Sequence, residues 1–209
     1  MTIKVVKFLG DDNIDFGFKH VLGALKVIAE ITNEDGEAIK TDDMTNALTV
    51  IDYAHHEIHS GSHFKAGYQD TVMATNDEIN ILFITPDTLK WAHFELTAQA
   101  TGAVIIDFYE DAVVSANGTL VTAWNRNRNS TKVNTVLVYH TPTVTTNGTK
   151  ISSKWVGNEG FKDSVGGEAR GEAEFILKQN TKYLIKLTAV SNNIKGAVGG
   201  DWYEHTDLT

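Results

Sequence analysis

The chain contains no cysteine and only two prolines, Pro86 and Pro142. Without cysteine it can form no disulfide, no thiolate zinc site and no cysteine nucleophile. Proline lacks a backbone donor and interrupts sheet ladders, so its scarcity fits long, regular strands. These two absences exclude a disulfide-stapled scaffold and favour a domain with few interruptions.

Positive charge is also scarce, because 18 lysines and arginines stand against 27 aspartates and glutamates, for a formal net charge of −9. No basic run occurs, whereas faces that neutralise nucleic-acid phosphates need clustered lysine and arginine. No stretch approaches the roughly 20 consecutive apolar residues that span a bilayer. The apolar run at the start is too short for a signal peptide and is followed by Asp11 and Asp12. We therefore expect neither nucleic acid nor a membrane as partner.

The sequence does contain a succession of short β-like segments. Apolar and polar side chains alternate through residues 91–99, which is the period of a half-buried strand. Residues 102–111 follow after a short turn, so the pair is predicted to form a hairpin. Residues 79–85 are almost wholly apolar, as in a central strand between two sheets. Further strands are predicted at 120–124, 133–140, 174–178, 182–190 and 201–205, with a Gly-rich turn before the last. About ten strands with little helix favour an all-β, jelly-roll-like sandwich of two sheets over an up-and-down barrel.

The domain organisation follows from changes in composition. We expect a β-sandwich over residues 46–209, preceded by a short N-terminal arm of mixed structure over residues 1–45. Within that arm, residues 21–31 place apolar side chains on roughly one helical stripe, although their β-branched residues leave a strand as the alternative. Residues 141–172 are rich in Thr, Ser, Gly and Asn and carry Trp155 and Phe161. Such a composition buries little surface alone, so it predicts a long surface excursion.

Four of the chain's eight histidines lie close together, and we take them with one glutamate as the candidate site residues. The site residues are His55, His56, Glu57, His59 and His63. A zinc-peptidase motif needs His-Glu-x-x-His on a helix, and here only one residue separates Glu57 from the next histidine. On a strand, His55, Glu57 and His59 would share one face and could bind a metal. Hydrogen bonding across strands or at a subunit contact is the simpler interpretation, so we expect no catalytic, cofactor-binding or metal-binding residues.

Three segments resemble a family of tailed-bacteriophage virion structural proteins, and they occur in that family's order. These are ALTVIDYAHHEIHSGSHF at 47–64, AWNRNRNST at 123–131, and EFILKQNTKYLIKLTAVSNN at 174–193 with DWYEH at 201–205. The resemblance implies a capsid decoration or cement protein that stabilises the head. Such a protein is made in the host cytoplasm and is found on the capsid surface of the virion. The family supplies no catalytic residues and no cofactor, so the resemblance does not imply an enzyme.

The implied partner is the major capsid protein. Cement proteins bind where capsomers meet, often as dimers or trimers, and we expect a homo-oligomer, with a trimer favoured over a dimer. Residues 1–45 lie outside the resemblance, and their apolar side chains predict an arm that anchors the protein to the capsid or to a neighbouring subunit. Those side chains are Val5, Val6, Phe8, Leu9, Phe16 and Phe18. Two other functions stay open: a metal-dependent cupin-like enzyme using the 55–63 cluster, and a carbohydrate-binding fibre or baseplate module.

Overall fold

A computed structural model of the chain describes residues 16–21, 24–29, 53–157, 167–170 and 174–206. The chain divides into two compact units, Met1–Ile51 and Asp52–Thr209. Residues 33–43 are acidic and rich in turn-forming residues, which predicts a hinge between the arm and the sandwich. They lie outside the described residues, as do the arm residues Val5, Val6, Phe8 and Leu9, and Phe161.

In the first unit, strands β1 (Phe16–Val21) and β2 (Ala24–Ala29) pair as an antiparallel hairpin. The helical interpretation of residues 21–31 is therefore wrong for Ala24–Ala29, and the alternative, a strand, is what forms. Val27 and Ile28 are β-branched, and such side chains lose rotamer freedom in a helix but fit a pleated strand. Over six residues, a helical stripe of apolar positions cannot be distinguished from an apolar strand.

The second unit begins with one short helix, α1 (Tyr53–Ser60), and continues with fourteen strands among the residues that the structure describes. The strands are β3 (His63–Met73), β4 (Glu78–Ile84), β5 (Lys90–Ala100), β6 (Val104–Glu110), β7 (Val113–Ala116), β8 (Thr119–Val121), β9 (Trp124–Asn125), β10 (Leu137–His140), β11 (Thr143–Thr146), β12 (Thr149–Val156), β13 (Gly167–Arg170), β14 (Phe175–Leu177), β15 (Lys182–Ala189) and β16 (Ile194–Thr206). The front sheet has the order β13-β5-β16-β3-β9, with β14 also paired to β5. The back sheet has the order β12-β6-β15-β4-β10-β8. All of these pairings are antiparallel.

The strand order is that of a jelly roll. The eight principal strands in chain order are β3, β4, β5, β6, β12, β14, β15 and β16. In the front sheet these strands have the order β14, β5, β16, β3, which are the sixth, third, eighth and first in the chain. In the back sheet they have the order β12, β6, β15, β4, which are the fifth, fourth, seventh and second. The first strand thus lies beside the last, and the chain crosses repeatedly between sheets, as in two Greek keys folded together. The predicted all-β sandwich of two sheets is confirmed.

The core lies between the two sheets and is held by aromatic side chains. Phe83 of β4 contacts Phe94 of β5 and Trp202 of β16, with ring centroids 4.9 and 5.8 Å apart. In β5 the predicted alternation is confirmed, because the side chains of the even-numbered residues 92–100 are buried and those of the odd-numbered residues are not. Burying each large apolar side chain contributes about 1.5–3 kcal/mol. β4 lies inside the back sheet, as its apolar sequence predicted.

The predicted hairpin of residues 91–99 with 102–111 is wrong. β5 lies in the front sheet and β6 in the back sheet, and the short connection between them crosses the end of the sandwich. A hairpin and such a crossing both need a short turn between two half-buried strands. Their alternation of apolar residues is therefore the same, and only the rest of the fold decides between them.

Residues 141–172 are not one surface excursion. β12 pairs with β6 along its length and forms an edge of the back sheet. β11 pairs with β7 as a two-stranded ribbon, and Val114 and Val144 of this ribbon pack against a buried cluster that contains Leu82, Tyr109, Ala112 and Leu184. β13 pairs with β5 at the edge of the front sheet. Because edge and ribbon strands expose most of their side chains, their polar composition resembled that of a loop.

The predicted Gly-rich turn before residue 201 is also wrong, since these glycines lie within β16. A Cβ atom on Gly200 would lie 2.1 Å from the ring of Phe94, and one on Gly199 would lie 2.3 Å from the Ala66 carbonyl oxygen. Close approach of an aromatic core residue and of the neighbouring strand β3 therefore requires glycine at both positions.

Candidate functional site

The predicted histidine cluster lies on helix α1, not on a strand. Gly61 follows the helix with φ of +76°. Its N–H donates to the Ile58 carbonyl (3.1 Å), and that of Ser62 donates to the Glu57 carbonyl (3.0 Å). These two bonds form a Schellman cap, in which a left-handed glycine ends a helix. The strand arrangement that would place His55, Glu57 and His59 on one face therefore does not form.

On the helix, His55 and His59 are one turn apart and their Nε2 atoms lie 3.0 Å from each other. Glu57 is 5% exposed and accepts hydrogen bonds from the Ser60 hydroxyl (3.1 Å) and from His56 Nδ1 (3.2 Å). Among the residues that the structure describes, no three His, Cys, Asp or Glu side chains are placed to hold a metal. The five candidate residues thus divide into an exposed pair, His55 and His59, a buried Glu57 that is bonded to His56, and His63 further along the chain.

His63 is buried where β3 begins, beneath the helix. Its Nδ1 lies 3.4 Å from the Ala54 carbonyl and its Nε2 lies 3.4 Å from Arg126 Nη1. Burial, followed by the nearby Arg126 charge, holds the pKa of His63 below its usual value. At neutral pH His63 is therefore an uncharged residue that joins helix α1 to the segment carrying Arg126.

That segment, residues 124–133, is here called the Asn–Arg loop, and two asparagines fix its shape. Asn125 is buried, and its amide donates to the carbonyls of Gly61 (2.7 Å) and Lys132 (3.1 Å). Asn127 donates from its side chain to the His59 carbonyl (3.0 Å). The Arg126 N–H donates to the His63 carbonyl (2.8 Å). The loop is thus bonded at several points to helix α1 and the start of β3.

A buried carboxylate fixes the chain immediately after the loop. Glu204 of β16 is 3% exposed. It accepts hydrogen bonds from the Thr135 N–H (2.9 Å), the Thr135 hydroxyl (2.6 Å), the Val136 N–H (3.2 Å) and Trp202 Nε1 (2.9 Å). The Glu204 N–H in turn donates to the Ser62 carbonyl (3.0 Å). Together α1, the Asn–Arg loop with residues 134–136, and residues 202–204 form one connected structure, here called the corner.

The outer side of the Asn–Arg loop displays cationic and apolar side chains. Arg126, Arg128 and Lys132 are exposed. The Arg128 guanidinium lies over the Trp124 ring, 5.0 Å from its centroid, and Trp124 is 55% exposed. Val133 is 81% exposed. The loop therefore presents two of the chain's three arginines beside an aromatic ring, on a protein that is acidic as a whole.

Sequence reasoning missed a second group of histidines, on the outer face of the front sheet. His93 and His205 face each other with Nε2 atoms 2.7 Å apart, and His93 Nδ1 also bonds Glu174. The Tyr203 hydroxyl donates to the same Glu174 oxygen (2.8 Å). The alternation of residues 91–99 had placed His93 outward, but only the pairing of β5 with β16 and β14 brings the four together. This group joins three strands of the front sheet.

A shallow groove runs along the same sheet face above β16. Gly67, Ala197 and Gly199 form its floor, and polar side chains including Lys65, Gln69, Thr97, Gln99 and Asp201 form its sides. The depression measures about 260 Å³, and a neighbouring one of about 410 Å³ continues past Lys195 and Thr101. A side chain at either glycine would fill the floor, so the groove is a direct result of the small residues in β3 and β16.

No family model, no curated protein and no solved structure matches this chain. None of the described helices is long and apolar enough to cross a membrane. What the structure itself shows is a jelly-roll sandwich whose corner is held together by internal hydrogen bonds.

Proposed function

We propose that the chain is a structural protein of a bacteriophage virion, bound to the capsid as a decoration or cement protein. One observation carries the proposal: a part of each of the three sequence segments that resemble virion proteins lies at the corner. The first supplies α1 and His63, the second supplies the Asn–Arg loop, and the third supplies Trp202 and Glu204. Segments far apart in sequence thus build one rigid feature, and its exposed part is suited to contacting a partner.

The construction of the corner favours binding. The side chains of Asn125 and Glu204 hydrogen-bond to backbone groups, and Glu204 also bonds Trp202, so these bonds hold the corner in shape. A loop held in advance loses little conformational entropy when it binds, and pre-organisation is a main route to affinity. On a capsid the same contact is repeated by symmetry, so a modest affinity per site is enough for stable coverage.

The test is reconstitution on heads that lack the protein. Heads are purified from a phage whose gene for this chain is deleted, mixed with the purified full chain and sedimented. We expect co-sedimentation that saturates at a copy number compatible with icosahedral symmetry, and added density on the capsid surface by electron microscopy. An unrelated acidic protein of similar size is the control. If wild-type particles contain none of this chain and heads do not bind it, the proposal is wrong.

A second candidate function, a carbohydrate-binding fibre or baseplate module, is favoured by the groove above β16. Amide, hydroxyl and charged side chains along a shallow groove suit the hydroxyl groups of a saccharide chain, and jelly rolls serve as lectin domains. A glycan array screened with the purified chain tests it. Binding that is lost in Gln99→Ala and kept in Lys154→Ala, on the other sheet, would support this function, and a blank array would oppose it.

A further inference from the structure

We propose that the Asn–Arg loop docks on a carboxylate-rich protein surface. The inference rests on the proposed function, so the surface is taken to belong to the capsid. The loop would bind through Arg126, Arg128 and Lys132, with Trp124 and Val133 as apolar contacts. The partner is thus recognised by its carboxylates, and the residues that recognise it are those of the Asn–Arg loop.

The Asn–Arg loop places three cations within residues 126–132, and these differ from three lysines elsewhere in the sandwich that are paired with carboxylates. Lys150, Lys178 and Lys186 pair with Asp107, Glu110 and Glu78, at 3.0, 2.6 and 2.9 Å. In the part of the chain that the structure describes, no carboxylate lies in ion-pair contact with the three cations of the Asn–Arg loop. In a chain with 27 acidic residues against 18 basic ones, this loop leaves its positive charge available to an external carboxylate.

The charges of the loop are presented by a backbone that is held in place by hydrogen bonds. Asn125 and Asn127 bond the loop to the carbonyls of Gly61, Lys132 and His59. The Asn127 N–H donates to Asn125 Oδ1 (2.9 Å) and the Asn129 N–H donates to Asn127 Oδ1 (3.1 Å). The side-chain amide groups of both asparagines are therefore used in bonds within the loop and to residues 59 and 61 at the end of helix α1. The neighbouring Arg126 and Arg128 are exposed, although Arg126 Nη1 lies 3.4 Å from His63 Nε2 and Arg128 Nη1 donates to the Asn125 carbonyl (3.4 Å). Each guanidinium has five N–H donors, so donors remain for an external carboxylate.

The exposed side chains of the loop also indicate the kind of partner. Tryptophan and arginine are over-represented among residues that dominate protein–protein binding energy, and here Arg128 stacks on the exposed Trp124. Arginine can bind a carboxylate through two parallel N–H bonds. Nucleic acid is the weaker candidate, because a duplex is bound through many phosphate contacts and this chain carries a net charge of −9 with no basic run.

The test compares variants of the full chain in the head-binding assay. Arg128→Glu and Lys132→Glu reverse charges on the loop, Arg128→Gln removes one charge, and Lys154→Glu is the matched control on β12 of the back sheet. Circular dichroism melting establishes that each variant is folded. We expect Arg128→Glu and Lys132→Glu to weaken binding at least about tenfold, Arg128→Gln less, and Lys154→Glu less than about twofold. Wild-type affinity should fall as salt rises from about 50 mM to about 300 mM, because screening shortens the range of the attraction.

The outcomes separate this inference from the proposed function. If wild-type protein binds heads and folded Arg128→Glu and Lys132→Glu bind equally well, the docking inference is wrong and the proposed function stands. If wild-type protein fails to bind heads, both are overturned. Charge-dependent binding to duplex DNA without head binding would assign the loop to nucleic acid. Charge-dependent self-association in sedimentation velocity, with no effect on heads, would assign it to a second copy of the chain.

Discussion

At the scale of single residues, Glu204 is the clearest determinant of the corner. Its carboxylate is buried and accepts hydrogen bonds from Thr135, Val136 and Trp202. Glu204→Gln would replace one acceptor oxygen by an amide that faces N–H and O–H donors. Hydrogen bonds to a charged group are worth about 1.5–3 kcal/mol each, so we expect a loss of about 2 kcal/mol or more in the free energy of unfolding. Urea denaturation measures it. Asp87→Asn, at an exposed position, is the control, and an equal effect in both variants would contradict the assignment.

Two carboxylates predict how stability depends on pH. A hydrogen bond from Lys178, with one from Tyr183, lowers the pKa of Glu110 although burial opposes it. Burial raises the pKa of Asp107, but bonds from Ser153, Lys150 and Tyr109 outweigh it and the net shift is downward. Both groups bind protons more weakly in the folded state. Their contribution is therefore present above the unfolded-state values of 4.5 and 3.8 and is lost as pH falls through the lower folded values.

We expect the urea concentration at the midpoint of unfolding to be nearly constant near neutral pH. It should fall as the pH drops through the folded-state pKa values of Glu110 and Asp107. The double variant Glu110→Gln with Asp107→Asn should be less stable at neutral pH and should show a shallower acidic decline. An unchanged slope in the double variant would mean that other groups control the decline.

At the scale of elements, the end of helix α1 is set by one glycine. Gly61 has φ of +76°, and a Cβ there would lie 2.2 Å from the Ser130 hydroxyl oxygen. Gly61→Ala combines left-handed strain of about 1 kcal/mol with a clash against the Asn–Arg loop. We expect a loss of about 1–2 kcal/mol in the free energy of unfolding, together with weaker head binding because the loop is displaced. Thr131→Ala, exposed on the same loop, should be close to neutral, and a neutral Gly61→Ala would refute the cap's role.

The elements also show which parts of the fold the sequence could predict. The alternation of β5 and the apolar run of β4 were sufficient to predict these two strands, because each strand has a buried face that determines its sequence pattern. β12 was missed because an edge strand exposes most of its side chains, Trp155 included. Helix α1 was not predicted, because eight residues rich in histidine carry no clear apolar period. The Ser60-Gly61 pair was the one local signal for its end.

The candidate site was only partly predictable for a related reason. His55 and His59 are neighbours in sequence, so a local pattern found them. Glu204 and Thr135 are 69 positions apart, and Asn125 and Gly61 are 64 apart. The contacts that shape the corner depend on the jelly-roll order of strands, which no local pattern contains. His93 and His205 came together in the same way, through the pairing of β5 with β16.

At the scale of the whole molecule, the division at Ile51/Asp52 predicts that the sandwich is an independent folding unit. The jelly-roll strands, the core aromatics and the corner all belong to Asp52–Thr209. A chain that starts at Asp52 should therefore unfold cooperatively, with a melting temperature within a few degrees of the full chain's. If the first unit is the anchoring arm that the sequence predicts, this shortened chain should bind heads more weakly while Arg128→Glu still weakens what binding remains. Calorimetry and the head-binding assay measure the two effects. Aggregation or a much lower melting temperature of the shortened chain would mean that Met1–Ile51 completes the core, and the arm proposal would then be abandoned.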